Sequence, residues 1–167
     1  MIRLPTPTDR AELLSLAVGT GLFAEAEAEA LLGGLLTKYF AGSLGADHAI
    51  VVWAPAPDAS PLGWVYFAED EHAPGIWNLW WIGVHPANHG AGIGTALLQF
   101  VERAVATAAG RLLVIETSAL PALAATRTFY AQRGYRECGR VPDFYASGDD
   151  KVIFARQVER SSAPTNA

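Results

Sequence analysis

The stretch HPANHGAGIGTALLQF, His85–Phe100, decides how this part of the chain folds and what it can bind. Gly90, Gly92 and Gly94 stand at alternate positions, and an apolar pattern of helical period then runs over Ile93–Ala109. Because glycine has no Cβ and tolerates positive φ, such a turn can point main-chain N–H groups at a ligand. The following helix adds unpaired amides and about half a positive charge at its N-terminus. The pattern therefore predicts a loop that binds a phosphate or diphosphate.

Composition and charge limit the class of protein. The chain has 167 residues, 51% of them hydrophobic and 17% charged, so it can bury a substantial core. We expect one domain over residues 1–160 and a flexible polar tail over residues 161–167. The net charge of −5 and the lack of a basic run argue against nucleic acid or a membrane as partner. Cys138 is the single cysteine, which excludes an intrachain disulfide.

No start resembling a secretion leader and no apolar run of about 20 residues is visible, so we expect a cytoplasmic protein. An acidic chain also suits a small amine-bearing partner.

The segments before the glycine loop indicate helices followed by strands. A first helix is expected to begin at Thr8 or Asp9, and a second covers residues 24–40, where Gly33 and Gly34 weaken it. Strands are predicted at Ile2–Leu4, Ala49–Ala54, Leu62–Asp70 and Ile76–Val84. Short loops join the last three strands, which favours an antiparallel meander.

The segments after the loop indicate a crossover. Arg111–Thr117 is an almost continuous apolar run, typical of a buried parallel strand. A helix from Pro121 to Gly134 follows, then strands at Tyr135–Val141 and Lys151–Val158, with PDFYASGDD between them as a loop. The fold class is therefore α/β, a mixed sheet of six to seven strands with an antiparallel N-terminal meander, a parallel crossover and helices on both faces.

Several phosphate-binding loops can be compared with this one. Nucleotide hydrolases need a lysine after the last glycine, and Thr95 stands there instead. The same Thr95 replaces the final glycine of a dinucleotide fingerprint. An S-adenosylmethionine-dependent methyltransferase is a closer alternative, since Glu116 ends the next strand where a ribose-binding acid would lie. Its glycine loop follows the first strand of the sheet, however, whereas here three or more strands precede it.

Two motifs resemble those of a known family. Val84-His85-Pro86 with His89–Gly94 resembles the acetyl-CoA-binding motif of the GNAT superfamily of N-acetyltransferases. FYAQRGY, Phe129–Tyr135, resembles the helix-end motif of that family, and the order of elements is similar over nearly the whole chain. Within that family, the chain resembles uncharacterised bacterial-type members.

The resemblance implies roles for particular residues. Tyr130 corresponds to the general acid that protonates the departing thiolate. The strand before the loop would bind the pantetheine arm, and the loop amides the diphosphate. The residues that would bind acetyl-CoA, as co-substrate, are Ile82, Gly83, Val84, His89, Gly90, Ala91, Gly92, Ile93, Gly94, Thr95, Thr126 and Phe129.

Three positions depart from the family pattern. His89 stands where Gln or Arg is usual, Leu123 where many members have Asn, and Asn78 where some have a Glu base. Because Asn cannot accept a proton, another group has to take the proton from the amine. Glu116 is the first candidate. The next candidates for the base are Glu69, Asp70 and Glu71.

Trp80 shares a strand face with Asn78, and both are expected to contact the substrate. No metal is expected, because His85 and His89 lack a third ligand in sequence. No role is assigned to Phe144–Asp150.

The resulting hypothesis is an N-acetyltransferase that moves an acetyl group from acetyl-CoA to a primary amine of a small molecule or peptide by direct attack. The first alternative is a catalytically inactive CoA-binding regulatory module, suggested by Asn78, and the second is the methyltransferase. Members of the family often dimerise, so a homodimer is among the expected partners, alongside the amine substrate.

Overall fold

The computed structural model describes residues 1–21 and 23–158. The predicted tail, residues 161–167, and the last two residues of the predicted domain lie outside the described residues. The strands are β1 Ile2–Arg3, β2 His48–Trp53, β3 Gly63–Glu69, β4 Ile76–Val84, β5 Leu112–Ser118, β6 Arg136–Ala146 and β7 Asp149–Gln157. The α-helices are α1 Arg10–Gly19, α2 Glu25–Ala28, α3 Gly34–Phe40, α4 Ile93–Thr107 and α5 Ala124–Ala131.

The strands form one mixed sheet of seven strands in the order β1-β2-β3-β4-β5-β7-β6. The β1–β2 and β2–β3 pairs are antiparallel, and the second of these pairs belongs to the predicted meander. The β4–β5 pair is parallel and runs from Ile76 opposite Leu112 to Leu79 opposite Ile115. Strand β7 pairs antiparallel with both β5 and β6. The predicted α/β fold class with a parallel crossover is confirmed.

The chain divides into two compact units. The first consists of Met1–Ala68 and Trp81–Val101, and the second of Glu69–Trp80 and the chain from Glu102 onward. In the first unit, helices α1 to α3 pack on one face of the strands through an apolar cluster. Its buried members are Leu13, Leu16, Ala17, Ala28, Leu32, Leu36, Ile50, Val52, Trp64 and Trp81.

Helix α4 covers the opposite face of the strands in the first unit. A Cβ placed on Gly63 would lie 3.1 Å from Ile93 and 3.2 Å from Leu97. Because successive residues of a strand point to opposite faces, Gly63 faces α4 while its neighbour Trp64 faces the cluster of α1 to α3. The predicted helices on both faces are therefore present here.

In the second unit, the buried face of β5 and β7 packs beside α5. Leu113, Ile115, Val152 and Phe154 are at most 3% exposed. The ring of Tyr130 on α5 lies 5.9 Å from that of Phe154. The ring of Tyr130 therefore packs against the buried face of these strands.

The helical region over residues 24–40 is not broken at its glycines. Helix α2, a π-helical turn over Glu29–Gly33 and α3 follow one another directly. Gly33 and Gly34 both have right-handed helical φ and ψ. The wider π turn keeps the helix continuous where the sequence predicted a weakness.

The prediction of a loop for the segment PDFYASGDD is wrong, because most of this segment is strand. β6 continues to Ala146 and β7 begins at Asp149, so a tight turn replaces the loop. Pro142 is tolerated because β6 is the edge strand, and the register between β6 and β7 shifts in this region. At the turn, Gly148 has φ +80° and its N–H donates to Asp143 Oδ1 at 2.6 Å.

Candidate active site

The glycine loop begins where β4 ends. A 3₁₀ turn over Pro86–Asn88 follows the strand, and α4 begins at Ile93. Gly90 and Gly92 both have φ of +82°, in the left-handed region. A Cβ at either position would meet nothing within 4 Å, so main-chain conformation, not crowding, requires glycine. The loop is exposed, as a ligand-binding turn requires.

The beginning of α4 presents amides from the same loop. The first helical hydrogen bond here runs from Ala96 N to Gly92 O at 2.9 Å. The amides of Gly92, Ile93 and Gly94 therefore precede the helical ladder. A helix of 15 residues places its positive dipole end at this point. These groups together suit an anion such as a diphosphate.

His89 has a partner that the sequence did not predict. Its ring Nε2 lies 3.0 Å from the carbonyl oxygen of Val84. Because a carbonyl only accepts, Nε2 is the donor and carries the proton. This hydrogen bond ties the loop to the last residue of β4, whereas the sequence placed His89 toward the phosphates.

The main-chain N–H and C=O groups at the end of β4 point alternately toward and away from β3. The Gly83 carbonyl oxygen lies 3.0 Å from the position of a Cβ on Gly63, so it faces β3. Main-chain groups of successive strand residues point to opposite sides, which directs those of Ile82 and Val84 away from β3. This is the orientation that an extended ligand arm beside β4 needs. The predicted residues Ile82, Gly83 and Val84 thus lie next to the predicted loop within the first unit.

The predicted acid Tyr130 lies in the second unit and is almost fully buried. Burial raises the pKa of its hydroxyl far above the ordinary tyrosine value. The hydroxyl therefore stays protonated at neutral pH, and the same shift makes it a weaker acid than an ordinary tyrosine. Tyr135 is buried nearby, with ring centroids 6.0 Å apart, and its hydroxyl donates to Glu102 Oε1 at 3.0 Å.

Thr126 and Phe129 lie on α5 with Tyr130, and both are half-buried. The guanidinium of Arg133 lies 3.7 Å from the centre of the Phe129 ring, a cation–π contact. Arg127 donates to the carbonyl oxygens of Ser118 and Leu120 and so fixes the start of α5 to the end of β5.

The predicted base Glu116 has a cationic partner. Lys151 Nζ lies 2.5 Å from Glu116 Oε2. The same ammonium lies 3.5 Å from the centre of the Phe144 ring. Glu116 remains about a third exposed, with 34% of its side chain accessible, so an amine can still approach it.

Two of the other predicted acids, Glu69 and Asp70, accept hydrogen bonds in the turn between β3 and β4. Glu69 accepts from the amide of Gly75 at 2.6 Å. Asp70 accepts from the amide of His72 and from Asn78 Nδ2, and these hydrogen bonds lower the pKa of its carboxyl. Asn78, at the position of a family base, is thus bound to Asp70 at 3.1 Å.

Trp80 is the exposed tryptophan of β4. It is 54% exposed, whereas Trp77 and Trp81 are buried. The face of β4 that Trp80 is expected to share with Asn78 is therefore open at Trp80, whereas the face of Trp77 and Trp81 is buried. Its open ring is suited to contact a ligand.

Among the described residues, no group of three or more His, Cys, Asp or Glu side chains is placed to hold a metal ion. None of the helices in residues 1–21 and 23–158 is both long and apolar enough to span a bilayer.

The comparisons with known proteins identify the family. Residues 46–137, more than half of the chain, match the family model of the acetyltransferase (GNAT) domain. The chain belongs to the GNAT family. A GNAT assignment, together with the mixed sheet, removes the methyltransferase alternative, which needs a doubly wound parallel sheet.

Solved structures share this GNAT fold. A GNAT-family protein from Desulfovibrio desulfuricans is 28% identical, with a TM-score of 0.87 over 95% of this chain and 99% of that one. The ribosomal-protein-S18-alanine N-acetyltransferase from Escherichia coli is 17% identical, with a TM-score of 0.72 over 100% and 99%. An aminoglycoside 6'-N-acetyltransferase complexed with coenzyme A is 15% identical, with a TM-score of 0.72 over 95% and 97%. None of the curated proteins matches the sequence.

Proposed function

We propose that this GNAT protein transfers an acetyl group from acetyl-CoA to a primary amine of a small molecule or peptide. The observation that carries the proposal is the pair Gly90 and Gly92, both in left-handed conformation directly before the amides of α4. A loop of this form binds a diphosphate, and coenzyme A carries one. The GNAT family gives the reaction class.

The co-substrate would be held by main-chain groups. The amides of the loop at residues 90–95 would bind the diphosphate, apart from that of Ala91, which already donates to the carbonyl oxygen of Asn88 at 3.2 Å. The amides of Ile82 and Val84 would bind the pantetheine arm. The aminoglycoside 6'-N-acetyltransferase with the same fold was solved with coenzyme A, which supports this assignment. His89 would act through the Val84 carbonyl and hold the loop in register with the strand.

The chemical step would be a direct displacement. The amine nitrogen forms a bond to the thioester carbonyl carbon and the C–S bond breaks. The nitrogen releases one proton to solvent to become the amide, and the thiolate accepts one proton. Tyr130, which keeps its proton at neutral pH, would supply that proton, the role that the family motif gives to its position. Phe129 and Thr126 on the same helix would pack against the co-substrate.

The amine has to lose a proton before it can attack, because a primary ammonium has a pKa near ~10. Glu116 would accept that proton, directly or through water, after exchanging Lys151 for the incoming amine. Trp80 would contact the amine substrate through its exposed ring, and Asn78, held by Asp70, would contribute a polar contact.

A CoA-binding regulatory module without turnover is the second candidate. Two observations favour it: Glu116 is occupied by Lys151, and Asn78 stands at a position where some members carry a base. In this case the loop would bind acetyl-CoA and no residue would deprotonate an amine.

The test is release of free CoA thiol from acetyl-CoA in the presence of a panel of primary amines. The panel should span amino acids, peptides, polyamines, aminoglycosides and lysine side chains. Amine-dependent thiol release supports the transferase. Saturable acetyl-CoA binding without thiol release for any amine supports the regulatory module instead.

A further inference from the structure

Lys151 brings a primary ammonium group to the carboxylate of Glu116. Its Nζ lies 2.5 Å from Glu116 Oε2, within the reach over which a proton passes directly to a base. Both residues belong to the second unit, as does Tyr130. The side-chain nitrogen of Lys151 is therefore a primary amine placed at the group that the proposed function assigns as base.

The strand register places this pair on the face of the sheet where the amine substrate is expected. In the antiparallel pair of β5 and β7, Ser118 lies opposite Lys151. Glu116 is two residues before Ser118, so alternation puts it on the same face as Lys151. In the parallel pair of β4 and β5, Asn78 lies opposite Val114, which is also two residues from Glu116. Lys151 thus shares a face with Asn78, which the proposed function assigns to the amine substrate.

The ring of Phe144 covers the Lys151 ammonium. Its centre lies 3.5 Å from Nζ, a cation–π contact, and the Lys151 side chain is only 12% exposed. Phe144 itself is 51% exposed and belongs to the edge strand β6. Because the covering ring lies at the surface, its rotation would uncover the ammonium without disturbing the core.

We infer that Lys151 is an acetylation site, to which the protein transfers the acetyl group of its own bound acetyl-CoA when no substrate amine lies beside Glu116. This inference rests on the proposed function, which assigns Glu116 as base and Tyr130 as acid. An incoming amine and Lys151 compete for the same carboxylate. A substrate amine should therefore slow the acetylation of Lys151.

The acetylation step balances with the groups already assigned. The Lys151 ammonium gives one proton to the Glu116 carboxylate, and the neutral nitrogen forms a bond to the thioester carbonyl carbon. The C–S bond breaks, and the thiolate accepts one proton from Tyr130, which solvent then restores. The nitrogen releases its second proton to solvent. The products are Nε-acetyl-lysine at position 151 and free CoA.

Lys38 provides an internal control for this site. It is the other of the two lysines in the sequence, lies on α3 in the first unit and is exposed. Acetyl-CoA in solution reaches an exposed amine more easily than a covered one, so uncatalysed acetylation should modify Lys38 before Lys151. Transfer assisted by Glu116 should give the opposite order.

The experiment follows both lysines in the purified wild-type protein, incubated with millimolar acetyl-CoA and no added amine. Intact mass measures the gain of acetyl groups, and peptide mapping assigns their positions. Lys151 should be acetylated at least about tenfold faster than Lys38, with a rate constant independent of protein concentration. Lys38→Arg should retain the fast acetylation, and Lys151→Arg should lose it.

Glu116→Gln removes the proton acceptor and keeps Lys151 in the chain. This variant should acetylate Lys151 at least about tenfold more slowly than the wild type. The substitution also frees the ammonium from its ion partner, so an uncatalysed reaction would not slow down. The rate at Lys38 in the same samples should be unchanged.

Three outcomes overturn the inference. The first is acetylation of Lys38 as fast as that of Lys151, which would indicate a reaction governed by exposure. The second is a rate constant at Lys151 that rises with protein concentration, which would indicate transfer between molecules. The third is an unchanged rate at Lys151 in Glu116→Gln.

The amine panel separates this inference from the proposed function. Thiol release with an added amine, while Lys151 stays unmodified even in the absence of amine, overturns the inference and leaves the proposed function standing. Acetylation of Lys151 without further thiol release for any added amine supports the inference and rejects transfer to a separate amine substrate.

Discussion

Lys151 holds the carboxylate of Glu116 through an ammonium–oxygen distance of 2.5 Å. The Lys151 side chain is only 12% exposed and also lies against the Phe144 ring, so this pair is a fixed part of the second unit. The pair gives Glu116 two possible roles, a base that releases Lys151 or a purely structural anion.

The two roles of Glu116 are separated by paired variants. If Glu116 accepts the proton of the amine, Glu116→Gln lowers kcat about a hundredfold and leaves KM for acetyl-CoA unchanged. Lys151→Met keeps a chain of similar length against Phe144 and leaves the carboxylate in place, so kcat should change by less than about threefold. Steady-state kinetics of both variants provide the measurement. Equal losses in the two variants would contradict the assignment of Glu116 as base.

Substitution of the loop glycines should weaken co-substrate binding. Gly90→Ala and Gly92→Ala each force a side chain into left-handed conformation, at a cost of about 1–2 kcal/mol. If the loop binds the diphosphate, Kd for acetyl-CoA should rise about tenfold or more in each.

Gly42→Ala is the matched control for these glycines. Gly42 has φ of +67° and, like them, open space where a Cβ would lie, so the same strain is expected in a turn after α3. This variant should lose similar stability in denaturant unfolding and keep the wild-type Kd. A rise in Kd for Gly42→Ala as large as for Gly90→Ala would show that strain, and not the loop, governs binding.

Tyr130 and Tyr135 form a second matched pair. Tyr130→Phe should lower kcat ten- to a thousandfold with little change in stability, since it removes a proton donor from a buried ring. Tyr135→Phe removes a hydrogen bond to Glu102 and should cost about 2 kcal/mol of stability while kcat is retained.

The pH profile of kcat tests the same assignment to Tyr130. A raised pKa means that the acid keeps its proton beyond the ordinary tyrosine value near ~10. The wild-type profile should therefore show no falling limb from Tyr130 below about pH 10. A falling limb below that pH that disappears in Tyr130→Phe would contradict the direction of the shift.

Acid stability should depend on Asp9. Arg3 donates to both carboxylate oxygens, at 2.7 Å and 3.0 Å, and these bonds together with those from Thr6 lower the pKa of Asp9. The stabilisation is therefore present above the unfolded pKa near ~3.9 and is lost as pH falls through the lower folded value. Asp9→Asn should lower the free energy of unfolding by about 3 kcal/mol at pH 7. The difference in this free energy between wild type and variant should become smaller in acid.

Glu137→Gln is the control for Asp9. Glu137 also binds an arginine, Arg140, but both side chains are more than two-fifths exposed. Loss of this ion pair should lower the free energy of unfolding, measured with denaturant at pH 7, by less than about 1 kcal/mol. Similar costs for Glu137→Gln and Asp9→Asn would contradict the role given to burial of the Arg3 pair.

Local patterns in the sequence were sufficient for much of the fold. The period of two in IWNLWWIGV predicted strand Ile76–Val84 with the bounds that the structure has. The glycine spacing predicted the start of α4 at Ile93. Both signals lie within a few neighbouring residues and need no knowledge of distant contacts.

The features that the sequence missed depend on distant neighbours. Pro142 reads as a loop residue unless β6 is known to be an edge strand. The Glu116–Lys151 pair follows from β7 lying beside β5, a placement that no local pattern predicts. The His89–Val84 hydrogen bond depends on how the loop folds back on the strand.

The central claim is that the loop at residues 90–95 binds the diphosphate of acetyl-CoA for acetyl transfer. Calorimetric titration of the purified protein with acetyl-CoA tests it most directly. We predict one site per chain with a Kd between about 1 µM and 1 mM, in the range usual for enzyme substrates, and competition by CoA. No detectable binding at millimolar acetyl-CoA would contradict it.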